Sequence, residues 1–436
     1  MAKRQLSGLD VAFLCLEGDT TPMHMGAVAI FHPHRAVDPD KIAKLLADRA
    51  ARIPRLRQRV TPALFGLGGA TWTDDPRFDP GAHIHTHRLA ECFEEDPLAT
   101  YAADWIEQPM NLRRPPWEVQ VVTGLPDERF ALLLKLHHSF TDGAGAFAVA
   151  AGLLDELPFA RTFLTSPAEP PQRIRSPFAL VKDLANEAGE NASIASSILR
   201  ATRPYPVSPL AAPSSSSRRI GFVRLELAEI KKVRAAHGGT SNDVILTVLS
   251  GALRQWMINR GQRVAGRPLR ALVPVSIRSR DTGTAANQLS GYLCELPVHL
   301  DDPVERLREI RRSMNRNKAG GPLTGAGALP VLAGRIPSPL HRVATKTAGQ
   351  AAGLLFDTVI TNVPLPKLDL RLDGSALREI YPLVPLAPRH AVGIAATIFH
   401  DYVHIGLQAN GAAVPDTGSL RDAVLKSAAA LYERAL

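Results

Sequence analysis

The chain has 436 residues and a mass of about 47 kDa, a length that suggests two to four domains at roughly 100–200 residues each. Apolar residues make up 45% and charged residues 21%, proportions that exclude wholesale disorder and fibrous architecture. A formal net charge of +9 favours polyanionic partners such as anionic lipid, phosphorylated ligands or nucleic acid, but with only 6% aromatic residues and no interleaved Arg/aromatic tract, nucleic acid is the weakest of these.

Mean hydropathy is −0.03, and the longest apolar run, 143–154, falls short of the ~18 residues of a membrane span. The start of the chain, MAKRQLSGLD, lacks the apolar core of a signal peptide. Cys15, Cys92 and Cys294 are far apart, without CxxC spacing, which argues against disulfides or a zinc ribbon. A cytoplasmic protein is expected.

In chain order, residues 26–31 (GAVAIF) read as a strand. A helix over 40–51 follows, with Ile42, Leu45 and Leu46 at helical spacing behind a capping Asp. Residues 118–124 and 130–137 read as strands about a polar turn at 125–129, and 144–154 as an apolar helix. Between 166 and 218, Pro167, Pro170, Pro171 and Pro177 and the run Ser214–Ser217 mark a linker, with a helix expected over 178–200. Beyond it, 222–227, 271–277, 292–299, 357–361 and 402–408 read as strands. The tetrad Thr240-Ser241-Asn242-Asp243 precedes a buried helix over 244–257. Strands alternating with helices predict an α/β class with mixed sheets. The expected organisation is an N-terminal domain over 1–165, the crossover linker over 166–218 and a C-terminal domain over 219–436.

The sharpest feature is Leu134-Lys135-Leu136-His137-His138-Ser139-Phe140-Thr141-Asp142-Gly143. Two histidines end an apolar strand, and an Asp-Gly turn opens a helix. Neighbouring strand side chains point to opposite faces, so one imidazole faces a cleft while the other packs. A neutral imidazole is a good general base near neutral pH. Asp142 is placed to brace the loop through a distant Arg. Ser139 raises a serine-hydrolase alternative, but no GxSxG elbow surrounds it, and adjacent strand residues are not expected to reach each other as nucleophile and base. No GxxxxGK[ST] or strand-linked GxGxxG is present, which disfavours a nucleotide-phosphate enzyme.

The spacing HHxxxDG resembles the signature of the CoA-dependent acyltransferase superfamily. Further segments resemble its bacterial wax ester synthase/diacylglycerol acyltransferase family: Leu6-Ser7-Gly8-Leu9-Asp10, Pro22-Met23-His24-Met25-Gly26, Pro115-Pro116-Trp117-Glu118, Ser241-Asn242-Asp243-Val244, Pro274-Val275-Ser276-Ile277-Arg278, Ala286-Asn287-Gln288 and Thr361-Asn362-Val363-Pro364. Their order holds from residue 6 to about 410. The resemblance implies two chloramphenicol acetyltransferase-like domains, each a mixed sheet with flanking helices, with an active-site tunnel at their interface. It implies that His138 takes the proton of an acceptor hydroxyl as it attacks an acyl-CoA thioester. The acceptor would be diacylglycerol or a long-chain alcohol, with no metal and no cofactor beyond acyl-CoA as co-substrate. His137, Asp142 and Gly143 complete the catalytic motif, with Arg278 as the partner of Asp142. Asn242, Asn287, Arg278 and Asn362 are the candidate substrate contacts, and capping of its helix is the structural alternative for Asn242. Peripheral contact with an anionic membrane or lipid droplet is a further expectation.

The match weakens towards the end. Ala286 and Leu365 replace glycines, residues 398–402 lack the family's Ser-Tyr, and Asn410 stands where an Asp is usual. Acylation of a specialised metabolite or glycolipid hydroxyl, or non-catalytic binding of lipid or acyl-CoA, are the alternatives. His83, His85 and His87 alternate and would share a strand face, but a solvated edge strand is the expected reading over a metal site. Arg306, Arg308, Arg311, Arg312, Arg316 and Lys318 form a basic helix face, either solvated or set against anionic lipid.

Overall fold

A computed structural model describes residues 4–62, 70–90, 95–141, 143–155, 208–266, 268–276, 289–320 and 355–435. The strands, in order, are β1 (Arg4–Gln5), β2 (His24–His32), β3 (Gln58–Pro62), β4 (Ala70–Asp74), β5 (Ile84–Arg88), β6 (Trp117–Thr123), β7 (Phe130–His137), β8 (Arg218–Glu226), β9 (Leu269–Ser276), β10 (Leu289–Leu296), β11 (Thr358–Asn362), β12 (Arg371–Leu372), β13 (Ser375–Leu383), β14 (Val392–Phe399) and β15 (Tyr402–Asn410). The helices are α1 (Gly8–Leu16), α2 (Pro39–Ala50), α3 (Pro97–Glu107), α4 (Gly143–Leu153), α5 (Leu227–His237), α6 (Ser241–Asn259), α7 (Pro303–Gly320) and α8 (Gly418–Tyr432). The helix expected over 178–200 lies outside the described residues.

Two six-stranded mixed sheets carry the fold, with a small sheet β1-β4-β3 beside them. The first sheet runs β12-β13-β2-β7-β6-β5 and the second β10-β9-β11-β14-β15-β8. Sequence reading missed the exchange between them. β13 comes late in the chain yet pairs antiparallel with β2, after which the chain returns to the second sheet as the β14–β15 hairpin. β13 hides from pattern reading because a register shift between Leu377 and Glu379 breaks its alternation and Pro382 interrupts the run. The two sheets meet where Gly406 of β15 faces β13. A Cβ there would lie 2.0 Å from the Pro382 carbonyl oxygen, so only glycine permits the contact.

β7 is buried along its whole length because helices cover both faces. Phe130, Leu132, Leu134 and Leu136 join one core with Ile42 and Leu46 of α2, while Ala131 and Leu133 join another with Ala102 and Ile106 of α3. That explains the uninterrupted apolar run in sequence. Lys135, on the α3 side, is fully buried. Its ammonium donates to the Trp105 and Gln108 carbonyls and pairs with Glu118 at 2.9 Å. A buried cation thus satisfies the orphan carbonyls of the last turn of α3.

The helix cap at residue 240 is sharper than sequence reading allowed. Thr240 is the N-cap and Asp243 completes a reciprocal capping box. Asn242 therefore lies in the first turn and does not cap the helix.

His404 of β15 sits at the junction of the sheets, ringed by Tyr381, Phe399 and Tyr402. Burial, aided by the charges of Arg224 and His400 and opposed by Glu379, pulls its imidazole down to about 4. The ordinary value of 6.5 holds in the unfolded chain, so from pH 6.5 towards 4 the unfolded state binds a proton that the folded state refuses. Stability is full above pH 6.5 and falls as pH drops through that window, by at most about 1.4 kcal/mol per pH unit for this group. Thermal melting between pH 7 and 5 is expected to show this decline, and His404→Phe to lessen it. An unchanged slope in the variant would exclude His404 as a contributor.

Candidate active site

β2 and β7 run antiparallel with His24 opposite His137, and the histidine pair stands where β7 ends. The strand stops at His137 and His138 begins a turn, closed by the Phe140 amide donating to the His137 carbonyl at 2.8 Å. The two rings do separate work, as alternation predicts. His138 is partly buried and stacks on Phe13 of α1, with ring centroids 3.9 Å apart and planes 21° apart. Its backbone amide donates to the Met23 carbonyl at 2.8 Å. Burial, with a smaller push from His137, draws its imidazole down to about 4. His138 is therefore neutral at physiological pH, the state a proton acceptor needs.

His137 turns the other way. Its Nδ1 receives the Ser139 amide at 3.1 Å and lies 2.7 Å from Ser139 Oγ. An amide N–H can only donate, so Nδ1 is an acceptor and the ring proton sits on Nε2. That atom faces Glu17 Oε2 at 3.3 Å. The strand has already ended, so His137 and Ser139, two residues apart, reach each other across the turn. Ser139 is 1% exposed, and its hydroxyl and amide both serve His137, a local lock on the ring.

Glu17 was missed in sequence, as were Phe13, Arg55 and Lys135. Glu17 follows the last turn of α1, and its Oε2 accepts the Met23 amide at 2.6 Å. Its Oε1 lies 3.6 Å from Nε2 of His24, whose Nδ1 donates to the Ile106 carbonyl at 3.0 Å. Burial pushes the Glu17 carboxyl up. The hydrogen bond and charge of His137, the charge of His24 and the Met23 amide outweigh it, leaving Glu17 below its ordinary range. Burial pulls His24 down to about 4 against the opposing charge of Glu17. Arg55 lies over the Trp72 and Phe140 rings, 3.9 and 4.3 Å from their centroids, and donates to the Phe140 carbonyl, fixing the turn beyond His138.

Of the other sequence candidates, Gly143 is the first residue of α4. Asn242 and Asn362 come together, with the Asn362 amide donating to Asn242 Oδ1 at 3.3 Å. This joins the start of α6 to the end of β11. Asp142, Arg278 and Asn287 lie outside the described residues, as does Ala286. Asn410, in place of the usual Asp, donates to the Pro213 carbonyl at 2.7 Å and accepts the amides of Ala412 and Ala413. It secures a strand end.

The alternating histidines do not form one face. His83 lies in a tight turn before β5, stacks on Trp117 and donates to its carbonyl at 2.9 Å; His87 stacks on Tyr101. Four of the five residues of β5, an edge strand, are exposed, which matches the solvated reading. The basic helix divides similarly. Arg306 is 5% exposed and donates to the Leu300 and Asp301 carbonyls, and Arg311 donates to the His237 carbonyl at 2.6 Å. Arg308, Arg312, Arg316 and Lys318 are exposed. No helix among the described residues is long and apolar enough to cross a membrane.

Comparison with known proteins agrees with this geometry. Residues 6–245 match the wax ester synthase/diacylglycerol acyltransferase catalytic domain, and residues 285–431 match the family's C-terminal domain. A Mycobacterium tuberculosis protein named probable diacylglycerol O-acyltransferase is 32% identical over 441 residues, covering 95% of this chain and 93% of its own. The solved wax ester synthase/diacylglycerol acyltransferase of Marinobacter aquaeolei VT8 superposes with a TM-score of 0.71 at 26% identity, covering 99% of both chains. A starter condensation domain of rhizomide synthetase shares the fold at a TM-score of 0.60 and 16% identity, over 99% of this chain and 94% of its own. The chain belongs to the wax ester synthase/diacylglycerol acyltransferase family.

Proposed function

We propose that the protein transfers a long-chain acyl group from acyl-CoA to the hydroxyl of diacylglycerol or a long-chain alcohol, with His138 as general base. The observation that carries this reading is the neutral, desolvated imidazole of His138 at the end of β7, in a chain that matches the family along almost its whole length. The unprotonated ring accepts the acceptor's hydroxyl proton as the oxygen attacks the thioester carbonyl. The tetrahedral oxyanion collapses, the C–S bond breaks, and the proton passes from His138 to the departing CoA sulfur. The proton ledger closes on one imidazole, so the reaction calls for no metal or prosthetic group. Burial lowers the basicity of His138 but keeps it unprotonated, and the proton rests there only between hydroxyl and thiolate.

Asn242 and Asn362 are the polar pair we assign to the acceptor or the oxyanion, where a placed donor is worth a few kcal/mol. Asp142 and Arg278 are assigned to bracing the motif loop, Gly143 to its close turn into α4, and Asn287 to substrate contact. His137 supports the base through its own turn.

Purified protein given palmitoyl-CoA with diacylglycerol or hexadecanol is expected to form ester and release CoA. His138→Ala is expected to lose about a hundred- to ten-thousandfold in kcat while retaining its fold by circular dichroism. Ester formation undiminished in the variant would remove His138 from the chemistry. Acyl-CoA binding without turnover in the wild type would favour the lipid-binding alternative.

We also propose that the exposed stripe Arg308, Arg312 and Arg316 on α7 rests on an anionic lipid surface. Each basic side chain near such a surface contributes about 1 kcal/mol. Reversing all three to Glu is expected to weaken binding to phosphatidylglycerol vesicles at least on the order of a hundredfold. Unchanged vesicle binding would dismiss this contact.

A further inference from the structure

The histidine motif leaves one partly buried carboxylate beside it without a role in the reaction. Glu17 lies at the C-terminal end of α1, and its side chain is only 17% exposed. Both of its oxygens face inward. Oε2 takes the Met23 amide at 2.6 Å and faces His137 Nε2 at 3.3 Å, while Oε1 lies 3.6 Å from His24 Nε2. Both Nε2 atoms are buried without a hydrogen bond among the described residues, and the Glu17 carboxylate faces each of them. Neutral His24 gives its one ring proton, on Nδ1, to the Ile106 carbonyl, so its Nε2 has none to offer Glu17; the Nε2–H of His137 is the ring proton that faces the carboxylate.

The connection reaches the base by two routes. The Met23 peptide that donates its amide to Glu17 offers its carbonyl to the His138 amide at 2.8 Å. One peptide unit away, the Met23–His24 segment opens β2, where His24 pairs with His137. Phe13 lies four residues before Glu17 and so projects from the same side of the turn; it covers the His138 ring at 3.9 Å. One helix end thus grips both members of the histidine pair, Phe13 on the ring of His138 and Glu17 on the ring of His137.

We propose that Glu17 is a positioning residue: it holds His137 in the Nε2–H tautomer and, through the Met23 peptide, sets the backbone from which His138 projects. The capping box of Ser7 and Asp10 at the other end of α1 anchors the helix that delivers it. The inference rests on His138 being the base, and goes beyond that reading by naming what places it.

The test joins kinetics with spectroscopy. Glu17→Gln keeps the side chain's shape but removes its charge and one acceptor. It is expected to lower kcat on the order of a hundredfold, the scale of a small misplacement at a reacting centre, with KM for acyl-CoA within about twofold of wild type. Glu17→Asp is expected to lie between the two. In a cycle with His137→Gln, the double variant is expected to lose less than the product of the two single losses, because part of the effect of Glu17 passes through the His137 ring. Losses that multiply would overturn the proposal, as would unchanged kcat or a change confined to KM. Long-range proton–nitrogen NMR of the wild-type histidines is expected to show His137 protonated at Nε2 and bare at Nδ1; the opposite tautomer would overturn the proposal. The same spectrum of Glu17→Asp, which keeps the charge, is expected to show a weakened preference for Nε2–H; an unchanged tautomer there would assign the ring to the Ser139 turn alone and overturn the proposal. Spectroscopy also separates the two readings: a wild type inactive towards every acceptor would sink the acyl-transfer assignment, while the tautomer would still report on Glu17.

Discussion

A strand covered on both faces must keep its polar groups satisfied wherever it stops, and β7 stops at two adjacent imidazoles. Everything around the site follows from that constraint. The α3 side of the strand meets the last turn of a helix, whose bare carbonyls are taken by Lys135 and His24. The strand end meets α1, which supplies a carboxylate to one ring and a phenyl face to the other. The turn beyond is held by Ser139 on His137 and by Arg55 on the Phe140 carbonyl. A neutral base is the outcome of these contacts, because desolvation favours the uncharged imidazole.

The same logic separates the site from its look-alikes. A serine 2.7 Å from an imidazole nitrogen suggests a hydrolase, but this serine spends its amide and hydroxyl on orienting the ring. Two histidines around one carboxylate suggest a metal centre, yet His24 already gives Nδ1–H to a helix carbonyl and His137 is set by its own turn. These are the connections of groups that fix one another. The second sheet supplies a different kind of polarity, the Asn242–Asn362 pair at the mouth of a capped helix.

Much of this was legible in the sequence because the informative signals were local. HHxxxDG, the polar tetrad 240–243, the apolar run of β7 and the family resemblance each occupy a short window. The strands around the motif were found within a few residues. Three kinds of feature stayed hidden. β13 is broken by a register shift and a proline and pairs with a strand more than 340 residues earlier, so neither its pattern nor its partner is visible locally. Glu17 reads as an ordinary acidic residue after a helix, and only the return of β2 brings it to His137. The regular spacing of His83, His85 and His87 misled, because the chain makes a tight turn before β5 and the period-two rule does not yet apply there. Arg306 and Arg311, counted with the basic surface, are used internally for carbonyls at helix and loop ends.

The central claim is that a desolvated, neutral His138 accepts the acceptor's proton. The pH dependence of kcat/KM tests it most directly, since that profile reports the groups of the free enzyme. With His138 drawn down to about 4, the account predicts a flat profile from pH 8 to 5, measured in brief assays on folded enzyme, with its acid limb below that range. An acid limb centred near 6.5, the value of an ordinary solvated histidine, would contradict it.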